Sequence, residues 1–249
     1  GGILDRVTLI TSQTNQGKTT LTSQIIEYVI DQGYKCCCAF LEDTPYESQD
    51  RLYKQTLKSN TGAVKYVPYQ QNGKDTNCGE FVVDEVFRIK AETKFKGKLK
   101  LYNTRASASV DEILEGFEEA RTQYGCRVFV IDNVDQFEFS SENENKAVRD
   151  IVIKIRDYAI NNKCHIFLIN HIRKLEKDVV MPTLNDIKGT SSLVNIAKNI
   201  LIILRTDVMN HESKGYKALK KAVAANGYDL DDCDALIYVA KTKGRKLGY

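Results

Sequence analysis

The segment Thr11-Ser12-Gln13-Thr14-Asn15-Gln16-Gly17-Lys18-Thr19-Thr20 carries residue types suited to holding a polyphosphate. It follows a short β-rich run, Val7–Thr11, and opens a stretch with helical spacing, Thr19–Gln32. That strand–loop–helix setting is the one a phosphate-binding loop requires. Gly17 lets the backbone come close to phosphate. Lys18 reaches the β- and γ-phosphates, and Thr19 offers a hydroxyl to Mg²⁺. Ser12, Thr14, Asn15, Gln16 and Thr20 complete the cradle, and the helix N-terminus adds N–H donors and partial positive charge. The first glycine of the G-x-x-x-x-G-K-[ST] pattern is replaced by Ser12. Asn15 tolerates a left-handed conformation where other such loops use glycine. Gly-Lys-Thr also arises by chance at helix starts, but the preceding strand argues for the phosphate reading.

Hydrolysis of a Mg²⁺-bound nucleotide needs an acid for the metal and a base for water. Asp132 closes the apolar run Val128–Ile131, the position of a Walker B acid, and is the candidate metal ligand. Glu42 follows Phe40-Leu41 at the end of the second strand. It is expected beside the phosphate loop in an open parallel sheet, where it would activate water. Either carboxylate could instead be a strand end facing solvent, and Asp135 and Glu138 are nearby alternatives.

These side chains need a scaffold, and strand-like runs alternate with helix-like stretches along most of the chain. Strands are expected at Val7–Thr11, Cys36–Leu41, Leu99–Asn103, Val128–Ile131, Ile166–Ile169, Ile200–Leu204 and Leu236–Ala240. Helices are expected at Thr19–Gln32, from Pro45 to about Asn60, and at Ser109–Tyr124, Glu144–Asn161 and Lys214–Ala225. Ser109 suits an N-cap, and Gly33 and Gly125 suit helix stops. Fully apolar strands between amphipathic helices predict an α/β fold with a mostly parallel twisted sheet covered on both faces. Residues 62–98 carry no clear pattern.

The 249 residues fit one large domain, with no linker composition to divide them. A formal charge of +3 and 42% hydrophobic residues exclude a disordered chain and one that coats nucleic acid by bulk charge. No apolar run spans a membrane and no signal peptide opens the chain, so a cytoplasmic location is expected. Seven cysteines include the run Cys36-Cys37-Cys38, whose members alternate faces in a strand and cannot frame disulfides. Reduced, buried thiols are expected. The Gly1-Gly2 opening without Met reads as a fragment of a longer chain.

The ordered set of motifs resembles the RecA-like motor domain of hexameric replicative DNA helicases of the DnaB class, nearest the branch of phage primase-helicases and mitochondrial Twinkle. The match is carried by Leu9-Ile10-Thr11-Ser12…Gly17-Lys18-Thr19-Thr20, Phe40-Leu41-Glu42-Asp43, Leu101-Tyr102, Val130-Ile131-Asp132-Asn133, Asn170-His171-Ile172-Arg173, Asp186-Ile187-Lys188-Gly189-Thr190-Ser191 and Lys243-Gly244-Arg245-Lys246-Leu247-Gly248. The resemblance implies a RecA-like P-loop NTPase that uses ATP or a dNTP with Mg²⁺, forms a hexamer or heptamer, and moves 5′–3′ on single-stranded DNA. It implies Glu42 as catalytic glutamate, Asp132 as metal acid and His171 as γ-phosphate sensor. Arg205 would pack against the base. Arg173, Lys174 and Lys177, with Lys188 as a weaker candidate, would contact DNA in the ring's channel. Lys243 and Arg245 would reach a neighbouring subunit's nucleotide, although a second register sets Lys241 and Lys243 there.

Against this family the chain looks like one excised motor, 1–249, lacking a linker helix before Gly1 and a final strand after Tyr249. The parent chain is expected to be cytoplasmic, in a bacterial cell or phage-encoded, with a possible primase domain. The alternatives are a RecA- or KaiC-type ATPase that assembles on DNA or partners without unwinding, and a P-loop binding module that does not hydrolyse.

Overall fold

The computed structural model describes residues 6–57, 64–102, 108–137, 144–173, 181–188, 191–207 and 209–242. In chain order, β1 is Arg6–Ser12, α1 Lys18–Asp31, β2 Cys36–Phe40 and α2 Pro45–Leu57. Then come β3 Val64–Gln71, β4 Lys74–Val83, α3 Glu85–Phe95 and β5 Leu99–Leu101. The second half comprises α4 Val110–Tyr124, β6 Val128–Asp132, α5 Glu144–Asn161, β7 His165–His171, α6 Ser191–Ile196, β8 Asn199–Arg205, α7 Lys214–Ala224 and β9 Ala235–Thr242. Short 3-10 turns lie at Val134–Gln136 and Leu184–Asp186.

Seven strands form one sheet in the order β5-β2-β6-β7-β1-β8-β9. The described pairs are parallel except for β8 with β9, which closes one edge antiparallel. Helices cover both faces, as the apolar strand runs require. Leu9, Cys37, Phe129 and Ile131 pack toward α4, α5, α6 and α7. Ile10, Cys36, Cys38, Val128 and Val130 pack toward α1, α2 and α3. The alternation expected within Cys36-Cys37-Cys38 is therefore observed. All three thiols are buried, and loss of water pushes Cys36 up to about 12 and raises Cys37 and Cys38 as well. These cysteines pack the core and are chemically quiet.

The unpatterned region folds as a separate two-stranded hairpin, β3 with β4, followed by α3. Its turn places Asn72 at φ 53° and Gly73 at φ 75°. Two successive positive φ values are the geometry that Asn-Gly favours in a two-residue hairpin. Among the described residues, no helix is long and apolar enough to cross a membrane.

Candidate nucleotide site

β1 and β7 are neighbours, and their register sets Ser12 opposite His171. The start of the loop and the end of β7 thus meet at the carboxyl edge of the sheet, where open α/β sheets hold ligands. Asn15 has φ 61° and Gly17 has φ 90°, both left-handed. A Cβ on Gly17 would touch no heavy atom, so glycine is demanded there by conformation and not by space. Helix α1 starts with no side-chain cap and no acid in its first turn. By contrast, Asp84 caps α3, and Ser109 and Glu112 form a capping box on α4. The first amides of α1 are left to donate to a bound anion.

Lys18 is buried and folds back over the loop. Its Nζ lies 3.1 Å from Gln13 O, 3.3 Å from Ser12 Oγ, 3.4 Å from Ser12 O and 3.2 Å from His171 Nδ1. Burial holds its pKa below the usual lysine value, and Asp132, Glu42 and Asp135 pull the other way. His171 is also lowered, by burial and then by the Lys18 charge.

Strands β6 and β7 lie between β2 and β1, so Glu42 does not come from the strand next to the phosphate loop, yet its charge acts on Lys18. It reaches the site through polar side chains on the turn after β6. Glu42 Oε1 accepts from Asn133 Nδ2 at 2.6 Å and from Gln136 Nε2 at 3.2 Å. Asn133 Nδ2 also lies 3.1 Å from His171 Nε2. A continuous polar chain results: Lys18, His171, Asn133, Glu42. Asn133 and Gln136 line the site, and residue type alone does not single them out. Asn133 stands within the quoted run ending β6 but carries no chemistry of its own.

Asp132 has its carboxyl pKa raised to about 6, first by burial and then by the nearby Glu42 charge. The folded value lies above the ordinary 3.8. The folded state therefore holds the proton more tightly, and stability falls as pH rises through that window. Asp132→Asn removes the buried charge. In the nucleotide-free protein it is expected to raise Tm at neutral pH, with the gain shrinking as pH falls through about 6 toward about 4. Thermal unfolding of both proteins across that range checks it, and a gain independent of pH refutes the assignment.

Whether Mg²⁺ suits this site is decided by its donors. Thr22 and Ser23 direct their hydroxyls to the carbonyls of Lys18 and Thr19. Thr19 Oγ1 makes no hydrogen bond among the described residues and remains available. No group of three or more His, Cys, Asp or Glu side chains gathers to hold a metal among the described residues. A hydroxyl and one carboxylate, completed by phosphate oxygens and water, is the ligand set Mg²⁺ accepts. Thr19 and Asp132 would hold it.

Other expected residues are placed as follows. Gln16 Oε1 accepts from the backbone N–H of Arg205 at 2.7 Å, tying the loop to β8. The Arg205 guanidinium is held by the Asp207 carboxylate, with Nε 2.9 Å from Oδ1. Thr14 and Thr20 are exposed on the loop and first turn. Arg173 is exposed just past β7, and its N–H donates to Asp186 O at 2.7 Å. Lys188 Nζ pairs with Asp135 at 3.1 Å, and its N–H donates to His171 O at 2.9 Å. Lys241 donates to Val194 O and Asn195 O near the end of α6 and to Ala197 O just past it at 2.9 Å, a cation placed at a helix C-terminus. Glu138, Lys174, Lys177, Lys243 and Arg245 lie outside the described residues.

The central loop, the buried lysine, the strand-end acids and the strand order define a RecA-like P-loop NTPase domain. The chain belongs to the AAA_25 family, the AAA domain, whose model matches residues 1–177. It is 28% identical over 212 residues to the Twinkle homolog protein, chloroplastic/mitochondrial, of Arabidopsis thaliana, a match covering 80% of this chain and 28% of that protein. It is 23% identical over 210 residues to the DNA helicase/primase of Enterobacteria phage T3, covering 80% of this chain and 35% of that one. The chain thus spans about a third of the length of these relatives. Its fold is similar to a solved ATPase domain, with TM-score 0.71 at 16% identity over 98% of this chain and 79% of that chain. It is similar too to a DnaB-like replicative helicase studied with primase, with TM-score 0.72 at 15% identity over 98% of this chain and 55% of that chain. The resemblance read from the motifs is met by both kinds of relative.

Proposed function

We propose that the chain is the NTP-hydrolysing motor of a replicative DNA helicase, working as a hexameric or heptameric ring that moves 5′–3′ on single-stranded DNA. The observation that carries this reading is the polar chain from Lys18 through His171 and Asn133 to Glu42. It joins the group that holds the γ-phosphate to the group that activates water. Past the end of β7 at His171 the chain leads through Ile172 to Arg173, so a change at the phosphate would be passed to the segment proposed to touch DNA. Arg173, Lys174 and Lys177 would bind successive phosphates of one strand, and Lys188 would join them when released from Asp135. The substrate is ATP or a dNTP with Mg²⁺, and Arg205 would lie against its base. Lys243 and Arg245 would complete a neighbouring subunit's site. The engagement of Lys241 with α6 favours that register over the one using Lys241. A primase domain in the parent chain and a cytoplasmic replication role, bacterial or phage-borne, complete the proposal.

The test uses the full-length protein. Single-stranded DNA is expected to raise NTP hydrolysis several-fold, and a 5′-tailed fork is expected to be unwound in preference to a 3′-tailed one. Stimulated hydrolysis without unwinding would instead favour an ATPase that assembles on DNA without separating strands.

A further inference from the structure

Asn133 is buried, with 1% of its surface exposed, on the turn that follows β6. Its amide nitrogen lies 2.6 Å from Glu42 Oε1 and 3.1 Å from His171 Nε2. A carboxylate only accepts, so one amide N–H is directed to Glu42. That contact fixes the amide's orientation, because turning it over would set Oδ1 against a carboxylate oxygen. The second N–H then points at His171 Nε2 and is satisfied when that nitrogen offers its lone pair. With that lone pair engaged, the proton of the neutral imidazole would sit on Nδ1, the nitrogen 3.2 Å from Lys18 Nζ. The Lys18 ammonium has three N–H groups, and Ser12 O, Ser12 Oγ and Gln13 O lie within 3.4 Å to receive them. Imidazole and ammonium therefore face each other as donors with no acceptor between them. An anionic oxygen brought to that point satisfies both.

We propose that Asn133 is a positioning residue: its one amide fixes His171 as the Nδ1–H tautomer, aimed with Lys18 at the γ-phosphate, and steadies Glu42 through Oε1. The inference rests on the hydrolase reading of this site. A single side chain then orients the phosphate donor and the base relative to each other. Glu42 Oε2 makes no hydrogen bond among the described residues and can take the proton of water.

The test begins with the full chain labelled with ¹⁵N-histidine. It has 3 histidines, and His171 is assigned by its loss in His171→Gln. At mildly alkaline pH the ring shifts of the free protein are expected to report Nδ1–H at His171. Asn133→Asp keeps the shape but replaces the donor with an acceptor, so the proton should move to Nε2. Asn133→Ala, which serves if the first variant folds poorly, should also give Nε2–H, with Nδ1 accepting from Lys18. Both variants are expected to lose about 10- to 100-fold in kcat, as when orienting partners are removed. The KM for Mg-nucleotide should change by only a few-fold. An Nε2–H tautomer in the unmodified protein, an unchanged tautomer in both variants, or an unchanged kcat would each overturn the proposal. If the chain binds nucleotide but never hydrolyses it, the hydrolase reading fails, and the tautomer of the free protein still decides the role of Asn133.

Discussion

Glu42→Gln is expected to abolish turnover and leave nucleotide binding in place. Removing a general base costs about 10²- to 10⁴-fold in rate. The substituted amide cannot take a proton from water, yet its Oε1 still accepts from Asn133 and Gln136, which donate to that position at 2.6 and 3.2 Å. The polar chain to His171 and Lys18 is therefore preserved, and the loss falls on the chemical step. Single-turnover hydrolysis should show it, and calorimetric titration with Mg-nucleotide should give a Kd within a few-fold of the unsubstituted protein. Full hydrolysis by the variant would remove Glu42 from the role. Asp43 is the neighbour to consider in that event, but its carboxylate is engaged by Arg51, which leaves it poorly placed to serve as a base.

The site is legible in the sequence where one residue type implies one chemistry. Lys18 and Thr19 stand out because a lysine and a hydroxyl that follow a glycine at a helix start, a few residues past a strand, are the phosphate-loop pattern. Asn15 reads as a left-handed position, and its φ is 61°. The Ser109 cap is legible for the same reason, and a capping box with Glu112 is what forms. Asn133 is not legible, because asparagine follows an apolar strand in many folds for no more than a turn. Its role emerges only when parallel pairing brings the ends of β2, β6 and β7 together. The expected placement of Glu42 is one step too simple for a related reason. Strand order is a long-range property, and a local pattern of apolar residues does not say which strands are neighbours.

The hairpin shows a different limit. Asn72-Gly73 is a strong turn signal, yet the flanking strands hide it. Pro68 interrupts β3, the register shifts between Pro68 and Gln70, and Tyr66, Val67 and Tyr69 are all exposed. Strict alternation between apolar and polar residues needs one buried face to enforce it, and these positions lack that constraint. The sheet strands are the opposite case. Val128–Ile131 is buried on both faces, so continuous apolarity marks it without any periodicity.

Lys18→Met is expected to move function and stability in opposite directions. A hydrogen bond to a charged partner contributes about 1.5–3 kcal/mol, so losing the ammonium should weaken Mg-nucleotide binding by about 10- to 100-fold. In the free protein the same ammonium is a burden. Its pKa is lowered mainly by burial, so the folded state binds that proton less tightly than the unfolded chain does. Stability is penalised while lysine is charged in both states, and the penalty is relieved only as pH rises from the folded pKa toward the ordinary 10.5. At neutral pH, below the ordinary 10.5, the penalty is present. Methionine fills the path of the lysine stem without the charge. The carbonyls it abandons keep other donors: Ile172 N–H donates to Ser12 O at 3.1 Å, and Ser12 Oγ donates to Gln13 O at 2.8 Å. The Tm of the nucleotide-free variant should therefore rise at neutral pH, with the difference narrowing at alkaline pH. A fall in Tm of several degrees would mean that Lys18 supports the empty loop. A rise would mean that the loop holds a buried cation at a cost in stability that a bound phosphate removes.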